Sequence, residues 1–203
     1  MRHFLILAGA LLLAACGRTP VQEQQAYVFG TRVEVLVVSV DPAQGRQAIA
    51  AVLQEFDRMH RAYHAWQPSE LSDLNLAIAE GQPQQVAPEL AGFIGEAQQL
   101  SQQGDYLFDP GIGQLISLWG FQADEFKAEL PEEAKIKAWL ANKPSIADLT
   151  ISDGLVSSSN KNVALDFGGY LKGVALDRAT GILRAQGIDN ALINIGGNVM
   201  ALG

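Results

Sequence analysis

The 203-residue sequence contains one cysteine, Cys16, so no intramolecular disulfide can form and stability in any oxidising compartment has to come from packing. Basic residues are also scarce. Lys and Arg number 14 against 22 Asp and Glu, which leaves a formal charge of −8 and provides no electrostatic grip on a phosphate backbone. Nucleic acid is excluded as a partner on that ground. The apolar segment 4–13 is too short to cross a bilayer of about 30 Å as a helix. Neither a solenoid-period repeat nor a low-complexity tract is present. What the chain does have is apolar substance: 48% hydrophobic residues over this length can bury a core, which excludes general disorder.

The N-terminus reads as an export signal. A short basic start, Met1-Arg2-His3, precedes the apolar segment, which closes on Leu13-Ala14-Ala15-Cys16. Small residues leading to a unique cysteine look like a bacterial lipobox, with residues 1–15 as signal peptide and Cys16 lipidated as the new N-terminus. A polar tether over 16–26 and a body over 27–203 are expected to follow. The expected location is the cell envelope, lipid-anchored at the inner membrane and facing the periplasm. An acidic body does not adhere to anionic headgroups by its charge.

Within the body, Val33, Val35 and Val37 alternate with Glu34, Leu36 and Val38, the rhythm of a strand covered on both faces. Asp41-Pro42 opens a long helix with Ile49, Val52, Leu53, Phe56 and Tyr63 at helical spacing. A serine cap predicts a short helix over 69–76, and Pro88 starts a third whose stripe is Leu90, Phe93, Ile94, Ala97 and Leu100, stopped at Gly104. Pro131 begins another, ending about Asn142. Segments 149–151, 155–157 and 163–165 read as a β-meander. A glycine-opened helix runs from Gly168 to just before Gly187, and a buried strand over 191–195 breaks at Gly196-Gly197. The apolar stretch 199–203 should be a strand in need of a partner, which suggests a truncated chain. The mixture predicts an α+β fold with a mixed, largely antiparallel sheet and packed helices.

Three glycine-rich turns could carry chemistry. Leu165-Asp166-Phe167-Gly168-Gly169-Tyr170-Leu171-Lys172-Gly173 places a carboxylate, two glycines and a lysine where a strand hands over to a helix. Such a turn lets backbone amides approach a pyrophosphate, with the helix dipole and Lys172 favouring its charge. It serves equally as a tight connection capped by Asp166. The spacing is neither a Walker loop nor a dinucleotide fingerprint. In Gly104-Asp105-Tyr106-Leu107-Phe108-Asp109-Pro110-Gly111-Ile112-Gly113, Asp109 before Pro-Gly reads first as a β-turn residue. Asn194-Ile195-Gly196-Gly197-Asn198 is a backbone-exposing turn or a plain bend. His60 and His64 stand four apart on the long helix, but the zinc-protease glutamate is missing, and a non-ligand role is expected. Trp66, in a loop between helices, could stack on a ring.

Five ordered blocks resemble one family. Phe29-Gly30-Thr31, Trp66-Gln67-Pro68-Ser69-Glu70-Leu71-Ser72-Asp73-Leu74-Asn75, Phe108-Asp109-Pro110-Gly111-Ile112-Gly113 with Leu118-Trp119-Gly120-Phe121, Leu165-Asp166-Phe167-Gly168-Gly169 with Lys172-Gly173 and Asp177, and Asn194-Ile195-Gly196-Gly197 are similar to the ApbE-type FAD:protein FMN transferases. The resemblance implies a tunnelling-fold-like α+β domain, incomplete at its C-terminal end. It implies that FAD is the substrate, that Mg²⁺ assists cleavage of its pyrophosphate, and that FMN is left on a threonine hydroxyl of an acceptor protein. Such acceptors include subunits of membrane redox complexes. It sets Phe29, Trp66, Leu107, Phe108, Asp109, Asp166 and Lys172 around FAD and offers the Gly169 carbonyl to the metal. The family's later His-x-x-Asp-Pro-x-Thr-Gly and Asp-x-x-x-Thr blocks do not occur in residues 1–203, so its histidine and remaining metal ligands are expected beyond residue 203. The alternatives are a non-catalytic envelope lipoprotein that binds FAD or another nucleotide, and an envelope solute-binding lipoprotein.

Overall fold

The structure is a computed structural model that describes residues 20–39, 41–123 and 129–203. Cys16, with the expected lipobox, lies outside the described residues. The chain divides into two compact units, one formed by the residues up to Glu55 together with Leu176–Gly203, the other by Phe56–Ala175.

The first unit holds a four-stranded antiparallel sheet ordered β1-β2-β6-β7, with β1 at Val21–Val28, β2 at Thr31–Val38, β6 at Ala191–Ile195 and β7 at Asn198–Leu202. Both hairpins close with two-residue turns, Val28 pairing Thr31 and Ile195 pairing Asn198. The turn residues all have positive φ: 55° and 69° at Phe29 and Gly30, 56° and 97° at Gly196 and Gly197. That is the type I′ geometry whose twist matches paired strands. Gly196 is needed for space as well, because a Cβ there would stand 2.5 Å from Thr31 Oγ1.

One sheet face is sealed. Val33, Val35, Val37, Ile193 and Ile195 are fully buried, as are Ala48, Ile49 and Val52 of helix α1 (Pro42–Ala62) and Ala179 and Leu183 of helix α6 (Leu171–Ala185). Within this unit Gln44 Nε2 donates to the Gln186 carbonyl at 2.7 Å, and Arg178 pairs with Glu55 at 2.6 Å. Two expectations change here. Strand β2 is not covered on both faces, since Leu36 is half-buried and Val38 is exposed. The expected tether is largely strand: β1 begins at Val21, and its run Gln22-Glu23-Gln24-Gln25 looks like linker because an edge strand turns most of its side chains to water.

The second unit is built mainly from helices: α2 (Glu70–Glu80), α3 (Pro88–Gln103), α4 (Gly113–Leu118) and α5 (Glu133–Asn142). A small antiparallel sheet has the order β3-β5-β4, with β3 at Gln84–Gln85, β4 at Leu149–Ser152 and β5 at Leu155–Ser158. Helix α2 starts on a full capping box, the Ser69 hydroxyl accepting from the Ser72 amide while Ser72 Oγ accepts from the Ser69 amide, and stops at Gly81 in the left-handed region. It therefore outruns the expected 69–76. Met59, Leu71, Leu74, Ile78, Leu90, Ile94, Ile146, Val156, Leu165 and Phe167 form its core.

The meander is also revised. Segment 163–165 is not a third meander strand; its only pairing is a single parallel bridge between Ala164 and Ile112, and β5 takes β3 as its second neighbour. Helix α6 begins at Leu171 instead of Gly168, because residues 168–170 form a turn fixed by Asp166.

Candidate functional site

Two of the glycine-rich segments lie side by side in the second unit. The Gly113 amide donates to the Ala164 carbonyl at 2.7 Å, Ala164 donates to Gly111 at 3.4 Å, and Asp166 donates to Pro110 at 2.9 Å. The glycines permit this approach. A Cβ on Gly111 would stand 2.5 Å from the Ile146 nitrogen, and one on Gly113 would stand 2.7 Å from the Ala164 oxygen. Asp109 closes the turn from within, its Oδ1 accepting from the amides of Gly111 at 2.8 Å and Ile146 at 2.9 Å. Its turn role is thus realised.

Asp166 is similarly engaged. Its Oδ1 accepts from the Gly168 amide at 2.9 Å and its Oδ2 from Gln122 Nε2 at 3.0 Å. The idea that the glycine amides of these bends are aimed at a diphosphate therefore needs correcting. Gly111, Gly113 and Gly168 donate within the chain, and in the first unit Gly196 donates to Arg32 and Gly197 to Asn194. Among the described residues, the amides left without an acceptor at this turn are, besides that of Phe167, those of Gly169 and Lys172. They flank the start of α6, where the orphan donors and positive dipole end of a helix favour an anion.

The surroundings suit that. Lys172 is half-buried and forms no ion pair among the described residues. Gly169 is exposed, and a Cβ on it would lie 3.7 Å from the ring carbon Cε2 of Phe108, so Phe108 stands beside this peptide. Leu107 points into solvent at 95% exposure. Tyr170 is buried, its hydroxyl donating to Glu96 Oε2 and its ring meeting Phe93 and Phe167. The structure thus gathers Phe108, Asp109, Asp166, Gly169 and Lys172 around two adjoining turns. Trp66 belongs to the same unit, in the loop before α2, with its ring 4.3 Å from that of His64 and 44% exposed. Phe29 belongs to the other unit.

His64 organises its loop. Its Nδ1 accepts from the Gln67 amide at 3.1 Å, and its carbonyl accepts from Ser69 Oγ at 2.6 Å. No group of three or more His, Cys, Asp or Glu able to hold a metal occurs among the described residues. The Tyr63 phenol is clearly shifted. Burial first, then donation to Glu89 Oε2 at 2.5 Å, holds its pKa well above the ordinary value, while Arg58 grips the same carboxylate with two 2.9 Å bonds.

Two residues that the motifs contain or adjoin had no role from sequence. Asn75 exchanges two hydrogen bonds with the backbone of Leu165, and Gln122 holds Asp166. The signal for Asn75 was a weak helix former set one turn after buried Leu71.

Fold and turn cluster together define the class: an α+β protein with antiparallel sheets and a helix N-terminus, beside aromatic side chains, that is open to an anion. The chain belongs to the ApbE family, whose description matches residues 29–203. It is 42% identical over 98% of its length to the FAD:protein FMN transferase of Rhodobacter capsulatus, covering 38% of that protein. It is 27% identical to the FAD:protein FMN transferase of Vibrio cholerae, covering 61% of it. The ApbE protein of Thermotoga maritima superposes with a TM-score of 0.81 at 26% identity, over 91% of this chain and 59% of that one. The chain thus spans between about two fifths and three fifths of these relatives.

Proposed function

We propose that this chain provides the flavin-holding part of an FAD:protein FMN transferase. In the overall reaction a threonine oxygen of an acceptor protein bonds to the phosphorus of the FMN half of FAD, the pyrophosphate P–O bond breaks, AMP leaves, and the hydroxyl proton passes to a base. The observation that carries the reading is the open start of α6, where the Gly169 and Lys172 amides are uncommitted, Lys172 stands on the first turn, and the Phe108 ring lies beside Gly169. Amides and ammonium suit a diphosphate, and an aromatic face suits adenine or isoalloxazine. Family membership and the named relatives support the same reading.

In this proposal Phe108 and Trp66 offer ring contacts, and Leu107 offers exposed apolar surface. Lys172 binds the diphosphate, while Asp109 and Asp166 shape the two turns through their amide bonds. Mg²⁺, when bound, would neutralise charge on the leaving phosphate, and the Gly169 carbonyl is offered as one ligand. No group of three or more His, Cys, Asp or Glu among the described residues could hold the ion, so no step is assigned through it. The lipobox pattern supports attachment through Cys16 to the inner membrane, facing the periplasm, where membrane redox subunits would be within reach as acceptors.

Titration of the chain with FAD, read by flavin fluorescence, tests the binding claim, and mass spectrometry of a threonine-bearing acceptor tests transfer. FAD binding by this chain is expected, and an FMN-sized mass gain on the acceptor would add transfer to it. Absence of binding at high micromolar FAD would overturn the reading.

A further inference from the structure

Segment 163–166 feeds the Asp166–Lys172 turn but belongs to neither sheet. On one side it is paired only through Ala164 and Asp166, to the 110–113 loop. On its other side stands Asn75 of α2. Asn75 Nδ2 donates to the Leu165 carbonyl at 2.9 Å, and the Leu165 amide donates to Asn75 Oδ1 at 2.7 Å. One side-chain amide thus exchanges both bonds with one residue, as an opposed residue does in an antiparallel ladder. The bonding then alternates as in a strand: Leu165 faces Asn75, and Asp166 turns its amide to Pro110. Asparagine is a poor residue for a helix interior, so helix propensity does not account for it at this place. No other residue type offers a donor and an acceptor at this reach from the same position: aspartate lacks the donor, and glutamine is one methylene longer.

From this geometry we infer that Asn75 is a positioning residue for the anion-facing turn. It fixes the height and rotation of Leu165, hence the place of Asp166 Oδ1, hence the Gly168 amide it holds and the two free donors that follow at Gly169 and Lys172. The inference rests on the proposed flavin reading of that turn. Asn75 does not touch the ligand; it determines whether the donors converge on one phosphate position.

The test compares Asn75→Ala and Asn75→Asp with Ser72→Ala, which weakens the cap of the same helix without touching Leu165. Each chain is titrated with FAD, and amide hydrogen exchange is read at Leu165, Gly169 and Lys172. Asn75→Ala is expected to lose at least tenfold in FAD affinity and to speed exchange at Leu165. Ser72→Ala should lose a comparable few degrees of melting temperature with affinity within twofold of wild type. Asn75→Asp keeps the acceptor and loses the donor; it is expected to fall between them, and it is read alone if the alanine variant does not fold. Full affinity in a folded Asn75 variant, or equal loss in Ser72→Ala, would overturn the positioning role. A wild-type chain that does not bind FAD while Asn75→Ala still speeds exchange at Leu165 would instead remove the flavin reading, and with it the ligand-related part of this inference.

Discussion

Phe29 has φ of +55° in a two-residue hairpin turn, a place where Asn or Gly is the usual occupant. A bulky side chain in the left-handed region costs about 1–2 kcal/mol, so Phe29 stands against the preference of its own backbone. Such strain suggests a use for the ring. Phe29→Asn is expected to raise stability by about 1 kcal/mol, as the left-handed penalty is relieved; a denaturant melt checks it, and an unchanged or lower midpoint would contradict it. Lys172 presents the opposite balance. It is half-buried without an ion pair among the described residues, so Lys172→Ala should leave the melting temperature nearly unchanged while weakening FAD binding about tenfold, the worth of one charge-assisted contact of about 1.5 kcal/mol. Asp166→Ala should cost stability as well as affinity, because it frees the Gly168 amide. Tyr63 makes a pH prediction. The folded phenol keeps its proton above pH 10, where an unfolded chain's tyrosine releases it, so its contribution is complete below about pH 10 and is lost as pH rises further. Urea midpoints between pH 9 and 11 should therefore fall less steeply in Tyr63→Phe than in wild type.

Among the elements, the glycines of the 109–113 loop are required by a neighbouring backbone. Gly113→Ala would place a Cβ 2.7 Å from the Ala164 oxygen, and Gly111→Ala one 2.5 Å from the Ile146 nitrogen. Since backbone cannot swing aside as a side-chain tip can, each substitution is expected to cost about 1–3 kcal/mol, measurable as a lower urea midpoint. This also explains what the sequence could and could not disclose. Helices α1, α3 and α6 were legible because buried residues recur at helical spacing between recognisable caps, and the Gly196-Gly197 hairpin was legible from its turn chemistry. Strand β1 was not, because Gln22-Glu23-Gln24-Gln25 carries the composition of a linker and its place depends on pairing with β2. Segment 163–165 read as a strand for its alternation, yet its partners are a loop and one asparagine, and a contact across 90 residues leaves no local periodicity. The α+β class held. At the candidate site the motif residues were visible, but the direction of each amide was not, because it depends on which acceptor lies opposite in space.

At the scale of the whole molecule, the chain spans only part of the transferases it resembles, 38% of one and 61% of another. Binding of FAD and transfer of FMN are therefore separable claims, and the described residues speak to the first. The acidic charge of −8 leaves Lys172 and the start of α6 as a localised positive feature, which argues for recognition of a small anion in preference to a polyanion. The most direct test is titration of the ¹⁵N-labelled chain with FAD, followed at the backbone amides. Large shifts at Gly169 and Lys172 are predicted, with the amides of Gly111 and Gly113 little changed because they already donate within the chain. Saturation with FAD that leaves Gly169 and Lys172 unmoved would contradict the account.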